Sequence, residues 1–203
     1  MVTIIDYGVG NVEALLRIFQ QLGVSAVRAR CCEDLALAER LILPGVGAFD
    51  WAMTKLNSSG MRDQVTKLVQ VNRAPLLGIC VGMQMLARGS DEGVLPGLGW
   101  VTGDVRRFDP VVGGMTLQLP HMGWNDLRVL KSDPLFDGLS DPRFYFLHSY
   151  RFAHCAQDEV LAETDYGEGF PSVVKSKNVY GIQCHPEKSH HWGMTLLSNF
   201  ARI

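Results

Sequence analysis

"PLLGICVGMQML", residues 75–86, sets a cysteine between two glycines, after an apolar run and before a helical pattern. An unbroken apolar run of this length, with no alternation, reads as a strand covered on both faces. Gly78 and Gly82 around Cys80 form G-x-C-x-G, the cysteine version of the nucleophile elbow, a sharp strand-to-helix turn of α/β enzymes. The first glycine is expected to let the chain turn, and the second to let the helix pack close beneath. A structural cysteine needs neither. An elbow displays its side chain at the carboxyl edge of the sheet, where open α/β folds bind ligands. The N–H of Val81, next in the chain, is a natural oxyanion donor. The dipole of the following helix favours a thiolate.

The flanking sequence supports the same fold class. "VTIID" (2–6), "VSAVRA" (24–29), "RLILPG" (40–45) and "APLLGIC" (74–80) read as strands. Between them, "NVEALLRIFQQLG" (11–23) places Val12, Leu15, Leu16, Phe19 and Leu22 at helical spacing, with Gly23 as a stop. "MRDQVTKLVQ" (61–70) and "VGMQMLARGS" (81–90) read as further helices. Strand and helix in alternation predict a mostly parallel open α/β sheet with helices on both faces. After about residue 95 the pattern changes to extended segments: 97–108, 115–130, 143–153, 159–167 and 170–187. A closing helix follows in "HWGMTLLSNFAR" (191–202). These segments predict a smaller antiparallel extension. With no repeat and no low-complexity linker, residues 1–203 read as a single domain.

Composition excludes several classes. With 19 basic and 21 acidic residues the net charge is −2, and no Lys/Arg cluster marks a nucleic-acid binder. No apolar run is long enough for a membrane helix, and "MVTIIDYG" has no export signal, so a cytoplasmic protein without nucleic-acid or membrane partners is expected. The five cysteines are Cys31, Cys32, Cys80, Cys155 and Cys184, an odd set that predicts no disulfide framework. Cys184, His185, His190 and His191 match no familiar zinc spacing, so no metal site is expected. "YGVGN" (7–11) is a glycine-rich turn after a strand but lacks the third glycine of a dinucleotide site.

A nucleophilic cysteine calls for a base. "VYGIQCHPEKSH" (179–190) offers His185 at the end of a strand, with Pro186 stiffening the turn and Glu187 two residues on. Alone, His-Pro-Glu reads as a capped turn. Beside an elbow cysteine it reads as base and orienter, giving nucleophile, base and carboxylate in the order Cys80, His185, Glu187. A second oxyanion element fits "LPGVGAF" (43–49), whose glycines can present bare N–H groups, although a glycine-rich loop alone can be only a turn.

"PGVGAF", "GICVGMQ" and "GIQCHPEKS", in this order and spacing, resemble the class I (triad) glutamine amidotransferases. With "DYGVGN" (6–11), "PHMGWN" (120–125) and "YFLHSY" (145–150), the whole chain is most similar to the branch of glutaminase subunits that serve imidazole glycerol phosphate synthases. The resemblance implies hydrolysis of L-glutamine to glutamate and ammonia through a thioester on Cys80, with His185 protonating the departing ammonia. It also implies that Val46 and Gly47 lie on the oxyanion strand, and that Gln84, His148, Ser149 and Tyr150 hold the substrate. The implied partner is a (β/α)8-barrel cyclase in a heterodimer, which receives the ammonia through a channel for histidine biosynthesis. No cofactor is implied. The family also implies an oxyanion loop, here Pro44 to Gly47, that stays misaligned until the partner is loaded. Where several members carry His this chain has Met83, and where Phe is usual it has Cys184. A paralogous branch that supplies ammonia for amidino groups on bacterial surface sugars shares the same site residues. A related-fold thiol hydrolase, and a binding subunit without activity, fit the residues less well.

Overall fold

The computed structural model describes the backbone of residues 1–203 and every side chain except that of Met115. The chain opens with β1 (Val2–Ile5), α1 (Val12–Gln21), β2 (Ala26–Ala29) and β3 (Arg40–Gly45). Next come α2 (Phe49–Ser58), α3 (Arg62–Thr66) running into a π-helical turn at Lys67–Val71, β4 (Leu76–Cys80) and α4 (Val81–Gln84). The second half holds β5 (Asp104–Arg107), β6 (Val111–Val112), β7 (Met115–Thr116), β8 (His121–Asp126) and β9 (Arg128–Val129). After these come β10 (Arg143–His148), β11 (Tyr150–Ala153), β12 (Val160–Tyr166), β13 (Glu168–Ser176), β14 (Val179–Ile182) and α5 (His190–Phe200).

One eight-stranded sheet runs β2-β1-β3-β4-β14-β13-β12-β9. From β2 to β14 the pairs are parallel, and from β14 onward they are antiparallel. The antiparallel extension therefore continues the core sheet, and three two-stranded sheets are added beside it. The crossover β1 to β2 runs one way along the sheet and β3 to β4 the other. Right-handed crossovers then place α1 and the α2–α3 pair on opposite faces. Every residue of β1, β4 and β14 is buried, as a sheet covered on both faces requires. No helix among the described residues is long and apolar enough to cross a membrane.

Local chemistry explains the ends of α1. Asn11 Oδ1 accepts from the Ala14 N–H at 3.2 Å, and Gly23 turns the chain at φ +66° just beyond the last turn. Val12, Leu15 and Phe19 form its buried stripe.

Three sequence expectations change. The helix α2 is not foreseen above, although Phe49, Ala52, Met53 and Leu56 give its buried face at helical spacing. The helix expected over 81–90 is a single turn. Beyond it, the carbonyls of Met85, Leu86, Ala87 and Arg88 accept from the N–H groups of Leu98, Trp100, Gly99 and Gly97, so the returning segment takes the acceptors a longer helix would need. Finally, the extended stretch 143–153 breaks at Ser149. Its halves, β10 and β11, pair with β8 and β5 in different sheets.

Candidate active site

Cys80 ends β4 with φ 55° and ψ −115°, a conformation few non-glycine residues adopt. Such backbone strain costs about 1–3 kcal/mol and persists only where the surroundings hold it. Those surroundings are three interlocked glycines. A Cβ on Gly82 would stand 1.9 Å from the Leu43 carbonyl oxygen. One on Gly78 would meet the Gly82 oxygen at 2.6 Å, and one on Gly45 the Gly82 nitrogen at 2.3 Å. The turn itself is thus made by Cys80, while Gly78 and Gly82 serve close approach, which revises the expectation that Gly78 makes the turn. Gly45 pairs with Cys80 in the β3–β4 ladder. The approach of Gly45 to Gly82 therefore brings the following Val46–Gly47 segment beside Val81. Gly47 sits at φ +82°, in the left-handed region that favours glycine.

The same sheet edge delivers His185. In parallel register β14 pairs Gly181 with Gly78 and Ile182 with Ile79, so its continuation reaches the elbow. The His185 N–H donates to the Tyr145 carbonyl at 2.8 Å, and its own carbonyl accepts from Ser189 Oγ at 2.6 Å. His185 Nδ1 lies 2.8 Å from Glu187 Oε1, and both side chains are only 5% exposed. Because a carboxylate accepts, Nδ1 carries the hydrogen, and the other ring nitrogen is left for Cys80. Burial pushes the imidazole down. The hydrogen bonds to Cys80 and Glu187 and the charges of both outweigh it, and the His185 pKa rises to about 10. Glu187 Oε2 is buried without a hydrogen-bond partner, so the carboxylate's electrostatic effect is concentrated on the ring.

Val46, Gly47, Cys80, Val81 and Gln84 line one cavity of about 380 Å³, together with His148, Ser149, Tyr150 and His185. Glu187 stands behind His185. The sequence-predicted residues are thus brought together without exception. Gln84 is buried, and its Nε2 donates to the Tyr150 carbonyl and to Gln183 Oε1, each at 3.0 Å. Its Oε1 is the atom left for a ligand.

The structure adds residues that sequence reading passed over. Glu92 and Lys188 line the cavity, bringing a carboxylate and an ammonium to it. Glu92 Oε2 also accepts from the Phe49 N–H at 2.8 Å, and partial burial raises its pKa. Gln183, fully buried, aims Nε2 at Cys80 Sγ from 3.9 Å. Gln183 lies inside "GIQCHPEKS", where its spacing to His185 is the only signal. The turn 7–11 buttresses the Pro44–Gly47 segment. Tyr7 OH donates to the Pro44 carbonyl at 2.7 Å, and a Cβ on Gly10 would meet Pro44 Cβ at 2.6 Å. The five thiols are free, and Cys184 is buried next to His185, with its pKa pushed well up by desolvation.

Comparison with known proteins gives consistent findings. Residues 3–203 match the family model described as glutamine amidotransferase class-I. The imidazole glycerol phosphate synthase subunit HisH of Bdellovibrio bacteriovorus is 54% identical over 204 residues, covering 100% of both chains. The imidazole glycerol phosphate synthase subunit HisH of Leptospira interrogans is 43% identical, again over 100% of both. A crystal structure of a glutamine amidotransferase superposes with a TM-score of 0.77 at 24% identity, covering 100% of this chain and 99% of that one. The latter likeness is one of fold.

Proposed function

The chain belongs to the glutamine amidotransferase class-I family, and from that membership and the cavity's geometry we propose that it is the glutaminase subunit of an imidazole glycerol phosphate synthase. Residues 1–203 act as one domain. The carrying observation is a cysteine held at φ 55° on the same cavity wall as an imidazole that a buried carboxylate orients, the cavity being sized for a small molecule.

Cys80 Sγ attacks the carboxamide carbon of L-glutamine. The N–H groups of Val81 and of the Val46–Gly47 segment receive the oxygen as it becomes an oxyanion. His185, an imidazolium at neutral pH because its pKa is raised to about 10, gives its proton to the departing nitrogen, and the C–N bond breaks. The γ-glutamyl thioester left on Cys80 is opened by water, which loses a proton to His185, releasing glutamate. Glu187 holds the imidazolium through Nδ1 and does not itself accept the proton. The carboxylate of Glu92 and the ammonium of Lys188 complement the charged ends of a free amino acid.

The chain is a subunit of a multi-subunit synthase. Its partner is a (β/α)8-barrel cyclase that forms a heterodimer with it, receives ammonia through a channel, and makes imidazole glycerol phosphate and AICAR in cytoplasmic histidine biosynthesis. Control lies in the segment Pro44 to Gly47. Gly47, at φ +82° with nothing within 4 Å of where a Cβ would stand, lets its peptide reorient. Losing one oxyanion donor costs about 10²–10³ in rate. A peptide turned away therefore silences the uncoupled subunit. The test is ammonia and glutamate release by the chain alone and with the cyclase subunit and its acceptor ligand. The expected result is slow turnover alone and a rise in kcat, more than a fall in KM, on assembly. No glutamine hydrolysis in the assembled enzyme would refute the activity, and full turnover by the chain alone would refute the gating.

A further inference from the structure

His121 and Asn125, from "PHMGWN", have no part in the chemistry above. His121 starts β8 and stands opposite His148, the end of β10, in antiparallel register. Both side chains are buried, and His121 stacks on Phe146 and Tyr166. His121 Nδ1 lies 3.1 Å from His148 Nε2. His148 Nδ1 lies 2.7 Å from the Tyr150 carbonyl, and Asn125 Nδ2 lies 3.2 Å from His121 Nε2.

The two ends fix every proton between them. A carbonyl only accepts, so His148 Nδ1 carries a hydrogen. Desolvation lowers the pKa of His148 to about 3 and that of His121 to about 4, so both rings are neutral at neutral pH. His148 Nε2 is then an acceptor, His121 Nδ1 its donor, and His121 Nε2 the acceptor of the Asn125 amide. The second amide hydrogen of Asn125 goes to the Asp165 carbonyl at 2.8 Å. One consistent direction of donation therefore runs Asn125 to His121 to His148 to Tyr150.

The Tyr150 carbonyl is where this relay meets the cavity, because its other donor is Gln84 Nε2. From Gln84 the chain of amides continues to Gln183 and Cys80. His148 has both nitrogens engaged by the protein, so neither is free for substrate. We propose that Asn125, His121 and His148 are positioning residues that fix the Tyr150 carbonyl, and through it the carboxamide of Gln84 and the Ser149–Tyr150 wall of the glutamine cavity. The proposal rests on reading that cavity as a glutaminase site. It makes His148 a determinant of substrate affinity rather than of the chemical step.

Two substitutions at one position separate positioning from bulk. His148→Asn places an amide nitrogen close to where Nδ1 sits and keeps the donor to Tyr150. His148→Gln places it near Nε2 and loses that donor. Steady-state glutaminase kinetics are measured on the chain assembled with its cyclase subunit, with thermal unfolding as a check on folding. One lost ordering hydrogen bond predicts that His148→Gln raises KM for glutamine about five- to tenfold, with a much smaller change in kcat. His148→Asn recovers most of that loss. Should His148→Gln fail to accumulate, His121→Phe keeps the stacked ring, removes the donor to His148 and should raise KM in the same way. Equal KM in the two His148 variants, or a fall in kcat with KM intact, overturns the proposal alone. A wild-type complex that does not hydrolyse glutamine overturns the glutaminase reading, and this proposal with it.

Discussion

Gly82→Ala tests whether the elbow is held by close backbone approach. The added Cβ would lie 1.9 Å from the Leu43 carbonyl oxygen and 2.9 Å from its carbon. Both atoms are backbone of β3, which is paired to β1 on one side and β4 on the other, so neither swings aside as a side chain would. Ordinary contact needs about 3.5 Å, so the elbow and β3 must part by more than about 1 Å. Overpacking of this kind costs about 1–3 kcal/mol. For a chain of this length, each kcal/mol is about 2–4 °C in Tm, giving a fall of roughly 2–12 °C. Activity should suffer more than stability. The gap opens where Gly45 meets Gly82, between the Val46–Gly47 segment and Cys80, and a misplacement of about 1 Å costs on the order of 10² in rate. Gly89→Ala is the control, because a Cβ there meets nothing within 4 Å. The assays are thermal unfolding and glutaminase turnover of the assembled enzyme. Expected are a lowered Tm and a kcat loss of about a hundredfold for Gly82→Ala, and neither for Gly89→Ala. A Gly82→Ala enzyme with unchanged Tm and kcat would show that the elbow does not depend on this contact.

A glutamine-like electrophile should label Cys80 and spare Cys31, Cys32, Cys155 and Cys184; peptide mapping that places the label on Cys184 defeats the assignment. His185→Asn should lower kcat more than Glu187→Gln, because losing the base is more severe than misorienting it; equal losses in steady-state kinetics contradict those roles. The raised pKa of His185 also couples stability to pH. A group whose pKa is higher folded than unfolded contributes fully below its unfolded value, near 6.5, and loses that contribution as pH rises through about 10. The stability advantage of wild type over Glu187→Gln, on the order of a few kcal/mol at most, should therefore shrink between pH 6.5 and 10 in denaturant titrations. An advantage that grows over that range disproves the ion pair.

The strands of the first half, α1, and the short spacings around Cys80 and His185 were legible in the sequence because each is local. Periodicity marks α1, an apolar run marks β4, and G-x-C-x-G and His-Pro-Glu are short spacings with a direct physical meaning. What lay outside reach depends on segments that meet only in the fold. The helix after Cys80 stops at Gln84 because residues 97–101, not its own later turns, take the carbonyls of residues 85–88. Gly82 is required not by its own dihedrals but by the Leu43 carbonyl, far back in the chain. Glu92 reaches the cavity from a segment with no motif of its own, Lys188 from within "GIQCHPEKS" at a spacing that announces no role, and "YGVGN" gains its purpose only when Tyr7 meets Pro44. A sequence states which groups are available and their near spacing. Which of them share a cavity, and which hydrogen each donates, is decided by register across the sheet, since β14 beside β4 sets His185 against Cys80.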